Sequence, residues 1–165
     1  MTQALHADAR DRAAVTHFGV HLTIDGYRGS PERLSDGEHI RAFLDELPDR
    51  IGMHKIAEPH LVEVGKLSDK DSGGFSGFVL IAESHISVHT FPLRGFISAD
   101  VYTCQNVLDV TQICRYFAEA FGLEDIETNV VTRGTRYPQH DIYGAPAADA
   151  ATEPPAAVAA GGGGA

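Results

Sequence analysis

Residues 83–104 read ESHISVHTFPLRGFISADVYTC. On both sides of Pro92-Leu93-Arg94-Gly95, apolar and polar residues alternate, the period of a strand with one buried face. A hairpin with a two-residue loop at Leu93-Arg94 would pair Pro92 with Gly95, His89 with Ser98, Ser87 with Asp100 and His85 with Tyr102. Directly opposed side chains share a sheet face. His85, Ser87, His89, Ser98, Asp100, Tyr102 and Cys104 would then gather on one face. Ile86, Val88, Ile97, Ala99 and Val101 would gather on the other. The parity agrees on both strands, and a slip of one residue would turn the apolar set into water.

The rest of the chain extends this pattern. Thr16–Asp25 alternates with Phe18, Val20, Leu22 and Ile24 on one face, a half-buried strand. Ser35-Asp36-Gly37-Glu38 has the form of a capping box. It opens a helix whose Ile40, Phe43, Leu44 and Leu47 share one side, and Pro48 is expected to close it. His60–Val64 reads as a strand and Lys66–Gly74 as a polar loop. Gly77–Ile81 is an apolar strand leading straight into the quoted stretch. A second helix starts at Asp109 with Gln112 three residues on. It buries Val110, Ile113, Phe117 and Phe121 and ends at Gly122. A last strand covers Ile126–Thr132. The order β-α-β-β-β-α-β implies an α+β domain, a mainly antiparallel sheet with two helices on one face.

The chain has 165 residues, 43% hydrophobic and 22% charged, enough for one packed domain. Residues 1–14 read as a flexible lead-in and 15–143 as the domain. Residues 144–165 form an Ala/Gly/Pro tail with too little apolar bulk to offset ordering entropy. The net charge of −10 argues against a nucleic-acid or anionic-membrane partner. MTQALHADARDRAA contains no apolar signal core, and no apolar run would span a bilayer. A cytoplasmic setting is therefore expected, and no disulfide between Cys104 and Cys114.

The open polar face could be a solvated surface, as many antiparallel sheets have. Against that, it carries little Lys or Glu and is rich in hydroxyls, imidazoles and aromatic bulk. A metal site is not indicated: His85 and His89 lie about 13 Å apart on a strand and cannot share an ion. Ser84 follows no nucleophile-elbow pattern, which weakens a Ser-His-acid hydrolase reading.

Glu83-Ser84-His85-Ile86-Ser87-Val88-His89-Thr90-Phe91-Pro92, then Gly95, then Asp100-Val101-Tyr102-Thr103-Cys104, resembles the short prokaryotic S-adenosylmethionine decarboxylase proenzymes. Gly74-Phe75-Ser76-Gly77 and His21-Leu22 extend the likeness from about His17 to Thr132. The resemblance implies self-cleavage at the Glu83-Ser84 bond. The Ser84 hydroxyl would attack the Glu83 carbonyl to give an ester. β-Elimination and hydrolysis would then leave a pyruvoyl cofactor at the new N-terminus. That carbonyl would form a Schiff base with the substrate amine and take up the electron pair released with CO₂. The resemblance gives Cys104 the role of proton donor, with His89 and Ser76 assisting self-processing.

Along an extended strand Ser84 and His89 are about 16 Å apart. Cys104 can serve Ser84 within one chain, whereas His89 would serve a Ser84 on a second copy. A homodimer with its open faces packed into an αββα sandwich is the expected assembly.

The sequence departs from the family where adenosine is read. Leu93 stands where the family has a ribose-binding Glu, and a leucine cannot accept those hydrogen bonds. The loop Lys66–Gly73 has no aromatic residue to stack on adenine. Asp25 stands where Glu is common, and Gly29 where Cys is common. These departures favour a free basic amino acid, L-ornithine or L-arginine, as substrate. Asp25, Asp69, Asp71 or Asp100 would meet its distal cation. S-adenosylmethionine is the alternative substrate, and a non-catalytic partner subunit is a third reading.

Overall fold

The computed structural model describes residues 17–138 and 140–144; the expected lead-in and the tail from residue 145 lie outside them. Strand β1 is Gly19–Tyr27, β2 His60–Val64, β3 Gly74–Ile81, β4 Ser84–Phe91, β5 Phe96–Thr103 and β6 Asp125–Arg133. They form one sheet in the order β2-β3-β4-β5-β1-β6, with every neighbouring pair antiparallel. Helices α1 (Pro31–Leu34), α2 (Gly37–Arg50) and α3 (Val110–Phe121) complete the α+β fold. Among the described residues no helix is long and apolar enough to cross a membrane.

The hairpin register is the one the alternation predicts: His85 faces Tyr102, Ser87 faces Asp100 and His89 faces Ser98. The connection itself is longer than expected. Phe91 and Phe96 are the last pair, and Pro92–Arg94 form a 3₁₀ turn closed by Gly95 at φ 56°. That left-handed conformation suits glycine, which has no Cβ to clash.

Three expectations need correction. There are six strands rather than five, because the run from Gly77 to Phe91 is broken at Ala82-Glu83. The chain reverses there, and Ile81 pairs with Ser84. The cap of α2 is Asp36, whose Oδ1 accepts from the Glu38 and His39 amides. Ser35 instead donates its hydroxyl to the Pro31 and Glu32 carbonyls at the end of α1. Finally, α2 runs through Pro48 to Arg50. A proline in the last turn removes one helical hydrogen bond, and Pro48 is compensated by a buried ring.

One apolar core lies between the sheet and the helices. Leu22, Ile24, Val79, Ile86, Val88 and Val101 point into it from the strands. Phe43 of α2 packs edge-on against Phe117 and Phe121 of α3, with ring centroids 4.8 and 5.0 Å away. Each such buried ring contributes about 2–3 kcal/mol. Both long helices therefore cover one face, and the other face of the sheet is left open.

Candidate active site

The tight turn between β3 and β4 places Ser84 in an unusual backbone. Its φ is 153°, and Arg28 is the only other non-glycine residue with positive φ among those described. This region is essentially reserved for glycine and costs a side-chain-bearing residue on the order of 1–3 kcal/mol. The Cys104 amide donates a 2.9 Å hydrogen bond to the Glu83 carbonyl. The carbonyl before Ser84 is thus polarised, and the peptide that links them is strained. The Ser84 hydroxyl oxygen lies 3.2 Å from His85 Nδ1.

Cys104 is held at this end of the sheet by a close approach. A Cβ at Gly19 would fall 2.1 Å from the Thr103 carbonyl oxygen and 2.9 Å from the Cys104 Cα. Only glycine lets β1 start against this backbone. Cys104 and Cys114 are both free thiols, and burial pushes the Cys114 thiol up.

The other expected site residues fall elsewhere. His89 Nδ1 lies 2.9 Å from the Ser76 hydroxyl oxygen across the β3–β4 ladder. This pair sits at the far end of β4 from Ser84. Asp100 occupies the middle of the face, 2.6 Å from His21 Nε2 and accepting from Ser87 at 2.9 Å. Asp25 is partly buried on β1, opposite Ser98 and Glu127. Leu93 points away in the 3₁₀ turn with 82% of its surface exposed. The sequence-predicted residues thus divide into two groups at opposite ends of β4, Ser84 with Cys104 and His89 with Ser76.

Two features escaped the sequence reading. An open cleft of about 580 Å³ lies beside the His89 end, lined by Tyr27, Phe91 and Phe96, with Lys70, Asp71 and Arg94. Its rings form a row, Tyr27 to Phe96 at 5.4 Å and Phe96 to Phe91 at 5.7 Å. They share the outward parity of Asp25, Ser98 and His89, a signal that was available in the alternation.

The second feature is His54. Its ring Nδ1 lies 2.7 Å from Glu83 Oε1, and its amide donates to Oε2 at 3.1 Å. Nothing in local sequence links residues 29 positions apart. Burial resists the charge on Glu83, but the His54 hydrogen bonds outweigh it and hold the carboxyl below its ordinary range. The Glu83 hydrogen bond, with its charge and that of Asp49, raises His54. The Glu83 contribution to stability is present above its ordinary value of 4.5 and is lost as pH falls through the depressed value. That of His54 is full below 6.5 and is lost as pH rises through the raised value. Thermal melting of an uncleavable Ser84→Ala chain should therefore lose more stability above pH 6.5 than the same chain carrying His54→Asn. Equal pH slopes would contradict the pair.

A sequence profile described as S-adenosylmethionine decarboxylase matches residues 20–134. The chain is 32% identical over 121 residues to the S-adenosylmethionine decarboxylase proenzyme of Moorella thermoacetica, covering 73% of this chain and 91% of that one. It is 34% identical to the same-named proenzyme of Caldicellulosiruptor saccharolyticus, covering 71% and 89%. The crystal structure of the adenosylmethionine decarboxylase from Aquifex aeolicus superposes with a TM-score of 0.61 at 29% identity, covering 72% of this chain and 92% of that one. The strained serine, the polarised carbonyl and these likenesses converge: the chain belongs to the S-adenosylmethionine decarboxylase family, self-processing carboxy-lyases whose pyruvoyl group is formed from an internal serine.

Proposed function

We propose that the chain cleaves itself between Glu83 and Ser84 and decarboxylates S-adenosylmethionine. The observation that carries the first half is the joint placement at one peptide of a strained φ, a hydrogen-bonded carbonyl and a hydroxyl. Attack of the Ser84 oxygen on the Glu83 carbon puts negative charge on the oxygen that faces the Cys104 amide. The hydroxyl proton leaves, with His85 Nδ1 in reach, and the C–N bond breaks as the nitrogen is protonated, giving an ester. Loss of the Ser84 Cα proton then expels the Glu83 carboxylate. One water converts the dehydroalanine to pyruvoyl and ammonia, so the net reaction consumes one water and releases ammonia. These residues suit the formation of the group. When present, its carbonyl supplies an electron sink for CO₂ loss from an α-amino acid. Cys104, whose backbone touches the residue before the cut, is the proposed donor of a proton to the product carbon.

For the substrate, the expectation of L-ornithine or L-arginine gives way to adenosylmethionine. The relatives reported above are all named for that substrate. The Tyr27–Phe96–Phe91 row offers the stacking surface that the loop Lys66–Gly73 lacks. Two of the four carboxylates expected to meet a distal cation are poorly suited to it. Both oxygens of Asp100 are already engaged, and Asp69 stands fully exposed beside Lys66. Release of CO₂ from a panel of adenosylmethionine, ornithine, arginine and lysine tests this. Turnover of adenosylmethionine alone is expected, and Phe96→Ala should raise its KM about tenfold. Turnover of ornithine or arginine instead would return the basic amino acids as substrates.

The assembly we propose is a two-fold homodimer joined by the open faces. Val62, Phe78, Leu80 and Val131 leave that face apolar and exposed. A two-fold axis lying across the strands would bring the Ser84 end of one copy against the His89 end and aromatic cleft of the other. Each site would then take its serine and Cys104 from one protomer and its His89, Ser76 and aromatic row from the partner.

A further inference from the structure

The segment from Met53 to Ile56 has no place in the chemistry above, yet it grips the turn that contains the proposed cleavage bond. The Ala82 amide donates to the His54 carbonyl at 2.8 Å, and the Ile56 amide donates to the Leu80 carbonyl at 3.1 Å. Lys55 bridges Ile81. The Glu83 carboxylate, only 12% exposed, is held by the His54 ring on one oxygen and the His54 amide on the other. The Glu83 carbonyl is pinned on its other side by the Cys104 amide.

Both handles of Glu83, side chain and carbonyl, are therefore fixed by different parts of the chain. Its peptide plane cannot rotate to ease the turn. The torsion needed to bring Ile81 opposite Ser84 falls on the next rotatable bond, the φ of Ser84, which stands at 153°. Breaking the Glu83–Ser84 C–N bond frees that torsion.

We infer that His54 is a positioning residue for self-cleavage: through the Glu83 carboxylate it holds the scissile peptide in its strained, carbonyl-polarised form. The imidazole exchanges no proton with the reacting atoms. Glu83 is thereby the handle by which the bond is held as well as the residue before the cut. The same contacts would keep the new C-terminus at Glu83 docked after cleavage. This inference rests on the proposed cleavage at Ser84.

The test follows conversion of the full chain, pulse-synthesised in a cell-free system, by intact mass over time. His54→Ala should slow conversion by about tenfold, the loss of one charge-assisted hydrogen bond. His54→Asn, whose side-chain N–H can occupy the place of Nδ1, should restore the rate to within about threefold. A general loss of packing would not be rescued in this way. Wild-type conversion by His54→Ala, or an asparagine variant as slow as alanine, would overturn the inference. Should His54→Ala fail to fold, Glu83→Gln decides, since it keeps the shape and removes the charge. Slowed conversion of that variant supports the clamp, and an unchanged rate overturns it. Absence of any cleavage at residues 83/84 in the unmodified chain would instead sink the underlying reading, and the clamp with it.

Discussion

Replacing Ser84 by alanine is expected to leave the whole chain uncut, without a pyruvoyl group and without decarboxylase activity. No other atom can make the attack on the Glu83 carbonyl, so the loss should be complete rather than partial. The unmodified chain should give two fragments, 1–83 and 84–165, and their near-equal lengths call for mass spectrometry rather than a gel. The second fragment should be lighter, by the mass of ammonia, than a chain with a free N-terminal serine. Ser84→Gly must be equally uncleaved, but it separates chemistry from strain. Glycine adopts a φ near 153° without the Cβ clash, whereas alanine keeps the strain. In urea denaturation the glycine chain should exceed the alanine chain by about 1–2 kcal/mol, after the entropic cost of glycine is deducted. An alanine chain at least as stable as the glycine chain would show that position 84 holds no strain worth releasing. Cleavage of either variant at 83/84 would remove Ser84 from the mechanism.

The contrast between the two hairpins explains what the sequence could disclose. The β4–β5 register is legible because Ile86, Val88, Ile97, Ala99 and Val101 alternate with polar residues on both sides of Pro92–Gly95, and Pro and Gly mark the reversal. The β3–β4 reversal was not, because Leu80-Ile81-Ala82 stays apolar up to the turn and no Gly, Pro, Asn or Asp announces it. Yet the hidden turn creates the strain at Ser84, and with it the site's most telling feature. The cap of α2 was misassigned for a related reason. Ser35 and Asp36 are adjacent and both suit a cap, and α1, a helix of four residues, takes the serine. Positions on the open face followed from parity alone, so the separation of Ser84 from His89 could be read early. The contacts of Glu83 with His54 and Cys104 join segments far apart in the chain, and no local pattern encodes them. The aromatic row was within reach, since Tyr27, Phe91 and Phe96 share one parity. The loop Lys66–Gly73 itself carries no ring.

Two inactive variants are expected to restore each other. Ser84→Ala lacks the serine that becomes the cofactor, and His89→Ala lacks the imidazole at the other end of β4. Along one strand these positions are roughly 16 Å apart, too far for one protomer to bring both to one reacting atom. Both Ser84 with Thr103 and His89 with Ser98 are locked into the β4–β5 ladder, so no hinge within the protomer can close that gap. The Ser76 contact fixes His89 from the third strand as well. In a mixed dimer, one site would pair Ser84 of the His89→Ala copy with the intact His89 of the Ser84→Ala copy. The second site would lack both. Co-expression with random pairing should therefore yield function at about a quarter of all sites, where each variant alone gives little or none. The measurement is the fraction of His89→Ala chain converted to fragments, about one half when a quarter of all sites work, followed by CO₂ release per pyruvoyl. Dilution should slow the conversion, because a shared site needs the assembled dimer. Failure of the mixture to exceed its separate components would place the whole site within one chain. A cleaved His89→Ala chain that lacks only decarboxylase activity would move His89 from self-processing to the later step. Recovery near one quarter would tie the open sheet face, the apolar Phe78 and Leu80 upon it, and the divided set of side chains to one cause. The face would be left open because its second half is another copy of the same chain.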